Sequence, residues 1–421
     1  MKKVLIVFPT SWDRKQLSVC AADLAGRYEL EYAEPGDDDC PWDFDVCAYI
    51  DEVVERYRGK IDGVLSSSDY PGATVAAAVA TRLGLPGSVP EAVIRASHKY
   101  YSRRAQREAV PEATARFALV DPDSPAPDIG DVGFPCFIKP VKGAFSVMSR
   151  RLNSQEELEA FLDRNAVTEF RKYYLNMFNQ LVRALTPFEF DGNYFLAEEF
   201  LHGDQVTLEG FEHDGAVEIL GIVDSAKHPG TDSFAGFHYP SSLPASVQVR
   251  MDEVATQVVR RVGLTSSLFN IEMIYDAATD RIGIIELNPR LCGQFADLYK
   301  KVDGTSGYEV ALAVATGERP KLQRNAGAFA CAASLPLRIF EPARVVRAPG
   351  PADISAVEAA APGTLVWSEC ETGQKLSDFE SAEDGQSARY GITNLGGADR
   401  ADLTARAERV RQRLSFEFEM L

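Results

Sequence analysis

The stretch Ile284-Ile285-Glu286-Leu287-Asn288-Pro289-Arg290 constrains the fold of this chain more than any other. Ile282, Ile284 and Ile285 predict a buried strand, and Asn288-Pro289 predicts its end, because proline cannot donate to a strand ladder. On a strand, residues two apart share a face, so Glu286 and Asn288 aim their oxygens the same way. Oxygen ligands of this kind suit Mg²⁺, which takes carboxylates alongside substrate phosphates. Arg290 follows two positions later, with a fork able to clamp a phosphate or carboxylate. The plain alternative is an edge strand with a polar turn. Upstream, Phe269 to Tyr275 reads as a second strand and Asp276 to Arg281 as a hairpin turn. That hairpin brings Glu272 to face Glu286 and Asn288. Two facing carboxylates repel unless a cation sits between them, so a metal is the economical explanation.

A chain of 421 residues holds two to four domains by the usual size of about 100–200 residues each. Its net charge of −18 argues against a nucleic-acid partner, whose phosphates it would repel. The acidic run from Glu34 to Asp45, with Asp37, Asp38 and Asp39 consecutive, reads as a solvated loop. Seven scattered cysteines without a CxxC pair indicate neither a zinc site nor a disulfide framework. The apolar run from Val4 to Phe8 reads as a first buried strand rather than a signal segment. No run approaches the roughly 18 apolar residues of a membrane span. A cytoplasmic protein without membrane contact is the expectation.

Residues 1–95 alternate strand and helix in a Rossmann-like way, which predicts a parallel sheet covered on both faces. Strands are expected at Lys2 to Phe8, Tyr28 to Ala33 and Ile61 to Ser68, with helices at Asp13 to Gly26, Phe44 to Tyr57 and Gly72 to Leu83. No GxGxxG follows the first strand. The polar loops Pro9-Thr10-Ser11 and Ser66-Ser67-Ser68-Asp69 are candidate substrate contacts. After the Pro86 to Pro90 linker, a helix carries Lys99 and Arg103-Arg104. Phe134 to Pro140 is a strand presenting Lys139, followed by a small-residue loop with Gly143, Ser146 and Ser149. Such a loop beside a lysine can cover phosphates with backbone N–H groups and a point charge, although no Walker A pattern is present.

Ser154 caps a helix through Leu162. Residues 164–192 form a second helical stretch whose aromatics read as core or lid packing. Phe195 to Glu199 is a strand entering a polar hinge at Glu199-Phe200-Leu201-His202-Gly203-Asp204. Gln205 to Phe211 and Val217 to Val223 continue as strands. Asp224 to Ser242 reads as a long polar loop carrying His238, of a length often tied to function. Met251 to Val262 is a helix closed by Gly263. Residues 326–421 form a mostly β tail with a helix from Asp399 to Leu414 and no evident chemistry.

Taken in this order, the features resemble the ATP-grasp superfamily, specifically its carboxylate–amine ligases that include bacterial L-amino acid ligases. The resemblance spans most of the chain. It implies an α/β (α+β) ATP-grasp fold with four parts: a Rossmann-like domain over 1–95, a small lobe with a helical insertion over 96–193, a large lobe over 194–325 and a β-rich domain over 326–421. It further implies that Lys99 and Lys139 hold ATP phosphates under a mobile loop containing Ser146. Glu198, Glu199 and Leu201 match the adenine-reading hinge, and Asp204 lies near the family's ribose-binding Glu although it is shorter. Glu272, Glu286 and Asn288 match ligands of two Mg²⁺ ions, with Mn²⁺ as a substitute. Arg290 matches the arginine that steadies the γ-phosphate and an acyl-phosphate, with Lys139 beside it in catalysis. His238, Gly293 and Gln294 are candidate substrate contacts. The implied reaction joins a small carboxylic acid to an amine, both amino-acid-like, with release of ADP and phosphate. A homodimer is the implied assembly. A carboxylase resembling biotin carboxylase and a non-catalytic ATP-binding regulator are the alternatives. Retention of Glu286, Asn288 and Arg290 disfavours the regulator, and the altered Lys142-Gly143-Ala144-Phe145 loop disfavours the carboxylase.

Overall fold

The computed structural model describes residues 1–35, 43–143, 147–377 and 386–421. The expected acidic loop at Asp37–Asp39 and the candidate phosphate-loop residue Ser146 lie outside the described residues.

β1 (Lys2–Val7), β2 (Tyr28–Ala33) and β3 (Gly63–Leu65) form a parallel sheet in the order β2-β1-β3. Val4 to Val7 are all buried, so both faces are covered. Leu5 and Val7 pack on the helices Val46–Tyr57 and Gly72–Leu83. Val4 and Ile6 pack on Leu17 and Leu24, and also on Val310 and Val314 of the distant helix Gly307–Ala315. The expected helix from Asp13 to Gly26 is shorter and broken: Ser11–Val19 is capped by Thr10 and stops at Cys20.

β4 (Phe117–Val120), β5 (Cys136–Pro140), β6 (Arg150–Leu152) and β7 (Phe195–Glu199) make an antiparallel sheet ordered β4-β7-β5-β6. Its apolar side, including Ile138 and Ala197, packs on Leu158 and Phe161. Ser154 caps the helix Gln155–Leu162 through the Glu157 amide. Phe178, Leu181 and Val182, on the helix Asn176–Leu185, are buried against the first sheet's helices. Phe178 and Phe170 of this stretch are therefore packing residues, whereas Tyr173 is exposed.

The third sheet carries the candidate site. In chain order its strands and their small neighbouring sheet are β8 (Asp204–His213), β9 (Ala216–Lys227), β10 (Phe234–Tyr239), β11 (Ser267–Asp276), β12 (Arg281–Asn288), β13 (Cys331–Ile339), β14 (Ala343–Arg347), β15 (Leu365–Ser368), β16 (Lys375–Leu376), β17 (Ala388–Gly397) and β18 (Glu417–Met420). Eight of them form one sheet ordered β12-β11-β8-β9-β10-β13-β17-β15, while β16-β14-β18 stand apart. Pairing of β10 with β13 makes the large sheet continuous across residues 325 and 326. One face of its β8–β12 half packs on the helix Ala245–Val262 through Val206, Leu208, Ile271 and Met273. Gly263 closes that helix at φ 84°, a left-handed value that glycine adopts without strain.

Two expectations are corrected here. Asp224 to Ser242 is not one long loop: β9 runs on to Lys227 and β10 occupies Phe234–Tyr239, paired on both edges. The alternating apolar residues Phe237 and Tyr239, buried against Phe295 and Tyr299, drive that strand. The tail also contains a helix, Pro351–Ala360, that its composition did not announce. Among the described residues no helix is long and apolar enough to cross a membrane.

Candidate active site

Glu272 on β11 stands directly opposite Glu286 on β12, and Asn270 opposite Asn288. Directly paired residues of adjacent strands share a face, so the hairpin presents two carboxylates and two amides to one side. Asn288 Nδ2 donates to Glu286 Oε1 at 3.0 Å, and Gln205 Nε2 on neighbouring β8 donates to Glu272 Oε2 at 3.0 Å. Burial and the facing Glu286 push the Glu272 carboxyl up to about 7. Burial works the same way on Glu286, but Lys99 and Lys139 outweigh it and hold that carboxyl down at about 2. Among the described residues no group of three or more His, Cys, Asp and Glu side chains is arranged for a metal. The candidate metal set is two carboxylates and the Asn288 amide. These hard oxygen donors, with one carboxylate left short of a counter-charge, fit a divalent cation.

The cations come from two other elements. Lys99 opens the helix Lys99–Ala109, and its Nζ lies 3.0 Å from Glu286 Oε2 and donates to the Gly143 carbonyl at 3.1 Å. Lys139 on β5 points the same way, donating to Glu198 Oε2 at 2.6 Å and to the Ile285 carbonyl at 3.2 Å. Burial pulls the Lys139 ammonium below its usual pKa, and Glu198 only partly opposes it. Glu198 is also gripped by Arg103, whose guanidinium reaches the Ile285 carbonyl at 2.6 Å as well. Burial disfavours a charged Glu198, yet Arg103 and Lys139 together hold it below the usual carboxylate range. Thus Glu198, a candidate hinge residue, spends its side chain on internal cations. Glu199 likewise binds Arg116 Nε at 3.0 Å and Arg281 at 2.6 Å. Leu201 packs over Gly283, where an added Cβ would sit 3.0 Å from the leucine side chain. Asp204 is exposed at the start of β8, opposite Tyr275.

Arg290 lies in the loop that leaves β12, beneath the first sheet's loop after β3. Its Nε is 3.9 Å from Asp69 Oδ1. Buried Glu209 on β8 anchors this loop: one oxygen accepts from the Cys292 amide at 2.6 Å, the other from the Tyr299 hydroxyl at 2.8 Å. Burial pushes the Glu209 carboxyl up to about 7 against these hydrogen bonds.

Gly293 and Gln294 form the turn after Arg290, and the rest of the molecule grips it. The Gly293 carbonyl accepts from Gln16 Nε2 at 2.6 Å, and an added Cβ would stand 2.8 Å from Trp12 Cβ. Glycine is required there by the packing of the first helix. Gln294 Nε2 donates to Ser334 Oγ at 2.9 Å, and its carbonyl accepts from Asn394 at 2.7 Å. Gln205, Ser225, Phe237, Ser334 and Asn394 follow one another through the cross-strand register, on the face that bears Glu272. His238 pairs instead with Asp224 and Ala333, one residue out of that row. It therefore points to the opposite face, where its ring lies against Gly236. The structure brings Lys99, Lys139, Glu198, Glu272, Glu286, Asn288 and Arg290 together and leaves His238 out.

Sequence reasoning gave no role to Arg103, Lys142, Glu209 or Gln205. A helical Arg103 one turn past Lys99 was the available signal, since residues four apart share a helix face.

With this geometry in view, residues 132–297 match the sequence profile of an ATP-grasp domain. These residues carry an ATP-grasp domain. Its fold is similar to that of an L-amino acid ligase from Bacillus licheniformis, with a TM-score of 0.73 at 17% identity, covering 100% of this chain and 99% of that one. It is also similar to phosphoribosylglycinamide synthetase from Anaerococcus prevotii (TM-score 0.65, 15% identity, 99% and 100% covered). A third similar fold is the biotin carboxylase domain dimer of Hydrogenobacter thermophilus 2-oxoglutarate carboxylase, solved with MgADP and bicarbonate (TM-score 0.65, 14% identity, 100% and 91% covered). A search of curated protein sequences found no match.

Proposed function

We propose that this ATP-grasp chain is an ATP-dependent ligase that joins a small carboxylic acid to an amine, both amino-acid-like, through an acyl-phosphate. The observation that carries the reading is the facing pair Glu272–Glu286 with Asn288 beside it, ringed by Lys99, Lys139 and Arg290. Glu272, Glu286 and Asn288 would hold Mg²⁺, two ions by the family resemblance, with Mn²⁺ as a substitute. Bound there, the metal supplies neutralising charge at phosphate oxygens. Lys99 and Lys139 hold the ATP phosphates, and Ser146 is a further phosphate contact by the family resemblance. The backbone around Leu201 receives the adenine, since the Glu198 and Glu199 side chains are engaged by Arg103, Lys139, Arg116 and Arg281. Asp204 is the residue nearest a ribose-binding role.

Phosphoryl transfer leaves little covalent work to the protein, so positioning and charge stabilisation dominate. Arg290 steadies the γ-phosphoryl as it passes to the substrate carboxylate, its loop fixed by Glu209. The amine then attacks the acyl carbon, phosphate departs, and water must be kept out until it has done so. Gln294 and the Gly293 turn border the substrate space. The products are the amide, ADP and phosphate. A homodimer in the cytoplasm is part of the proposal.

Hydroxylamine tests the intermediate directly. With ATP, Mg²⁺ and the activated acid, it should trap a hydroxamate in step with ADP formation. Formation of AMP and pyrophosphate, or turnover that demands bicarbonate and biotin, would contradict the reading.

A further inference from the structure

The loop Ser66-Ser67-Ser68-Asp69 after β3 sends one carboxylate into the phosphate region from the first sheet. Asp69 Oδ2 accepts from Lys142 Nζ at 2.8 Å, and Lys142 is buried at 2% exposure. Lys142 Nζ also sits over the rings of Tyr70 at 5.9 Å and Phe178 at 5.7 Å. The other Asp69 oxygen lies 3.9 Å from Arg290 Nε; both atoms are buried, and among the described residues neither has a hydrogen-bond partner. The loop holds the carboxylate in place. Ser68 N donates to Ser66 Oγ at 3.2 Å, and at Gly72 an added Cβ would meet Ser66 Oγ at 2.2 Å. The charge of Asp69 is felt at Lys99 as well, and that of Glu286 at Asp69, so it acts on the whole phosphate centre.

We propose that Asp69 is a positioning residue of the phosphate site, holding Lys142 and Arg290 in place and weakening the site's grip on nucleotide phosphate. The inference rests on the proposed function and assigns this aspartate a part in it. A carboxylate between two cations offsets their attraction for an incoming anion, so the site holds phosphate less tightly and product leaves. Coulombic attraction between charges a few ångströms apart is substantial in partly buried sites, so loss of this charge is felt at the phosphates.

Its test is the affinity of a non-hydrolysable ATP analogue with Mg²⁺, measured by calorimetry. Asp69→Asn should bind the analogue tighter, by about threefold or more, and Asp69→Glu should return the affinity toward that of the wild type. A residue that merely props up the fold would weaken binding instead. Because Asp69→Asn leaves Lys142 buried without its partner, the pair Lys142→Met and Asp69→Asn/Lys142→Met gives a second reading. The double variant should bind tighter than Lys142→Met alone, through Arg290. Equal or weaker binding in Asp69→Asn, or a double variant no tighter than Lys142→Met, would overturn the role of Asp69. Wild-type protein that failed to bind the analogue would overturn the proposed function, and this inference with it.

Discussion

Glu272 and Glu286 face each other across the β11–β12 hairpin, but among the described residues only Glu286 has a cation in contact, the Lys99 ammonium at 3.0 Å. The asymmetry leaves Glu272 short of positive charge. A divalent ion bound by both carboxylates would relieve it. Glu286→Ala should therefore cut Mg²⁺-dependent turnover by about a hundredfold or more, as loss of a charge-stabilising group does. Thermal unfolding should stay cooperative, because Glu286 contributes no apolar packing. Full activity in a folded variant would remove Glu286 from the metal site.

Lys139 reaches from β5 to the Glu198 carboxylate and the Ile285 carbonyl, beside the proposed metal ligands. Lys139→Ala should weaken nucleotide binding by about tenfold or more, one lost charge-assisted contact being worth on the order of 1.5–3 kcal/mol. Arg103 remains to satisfy Glu198, so the fold should survive. Calorimetric titration with ADP and Mg²⁺ measures the change; an unaltered affinity would put the phosphates elsewhere.

Arg290 differs from the lysines in that its proposed partner exists mainly during transfer. Arg290→Ala should lower kcat by about a hundredfold, with nucleotide affinity moving by no more than about tenfold. Equal losses in both would mean that the arginine grips the ground state as firmly as the transition state.

Glu209 predicts a pH dependence of stability. Its folded carboxyl, raised by burial to about 7 from 4.5, favours the protonated form in the native state. Stability from this group is fully present below about pH 4.5 and lost as pH rises to about 7. At about 1.4 kcal/mol per unit, the loss is on the order of 3 to 4 kcal/mol. Glu209→Gln keeps an oxygen for the Cys292 amide and does not titrate, so denaturant unfolding at pH 5 and pH 8 should show a smaller difference in the variant than in the wild type. An equal difference would put the titration on other groups.

The residues proposed to hold metal and phosphate stood out in the sequence because each sits in a short local pattern. Glu286 and Asn288 alternate on one strand with Arg290 two positions beyond its end, Glu272 reaches them through a short hairpin, and Lys139 stands at a strand end before a proline. His238 was not legible. Its face depends on the register of β10 against β13, which comes nearly a hundred residues later. A shift of one residue in that register reverses every side chain of the strand. Arg103 and Glu209 escaped for a related reason. Each is an isolated charged residue whose partner, Glu198 or the Cys292 amide, lies far along the chain. Asp69 stood in a loop expected to contact substrate, but its partners Lys142 and Arg290 are likewise far along the chain. Gly293 is a different case. Next to Arg290 it suggested a substrate contact, but Trp12 packs where a side chain would stand.

Phosphate release from ATP and Mg²⁺, screened over single amino acids and pairs with the nucleotide products resolved, tests the central claim most directly. The account predicts ADP and phosphate in amounts that match the amide formed, with release that depends on a particular acid and amine. ADP formation indifferent to every acid and amine, or AMP and pyrophosphate as the products, would contradict it.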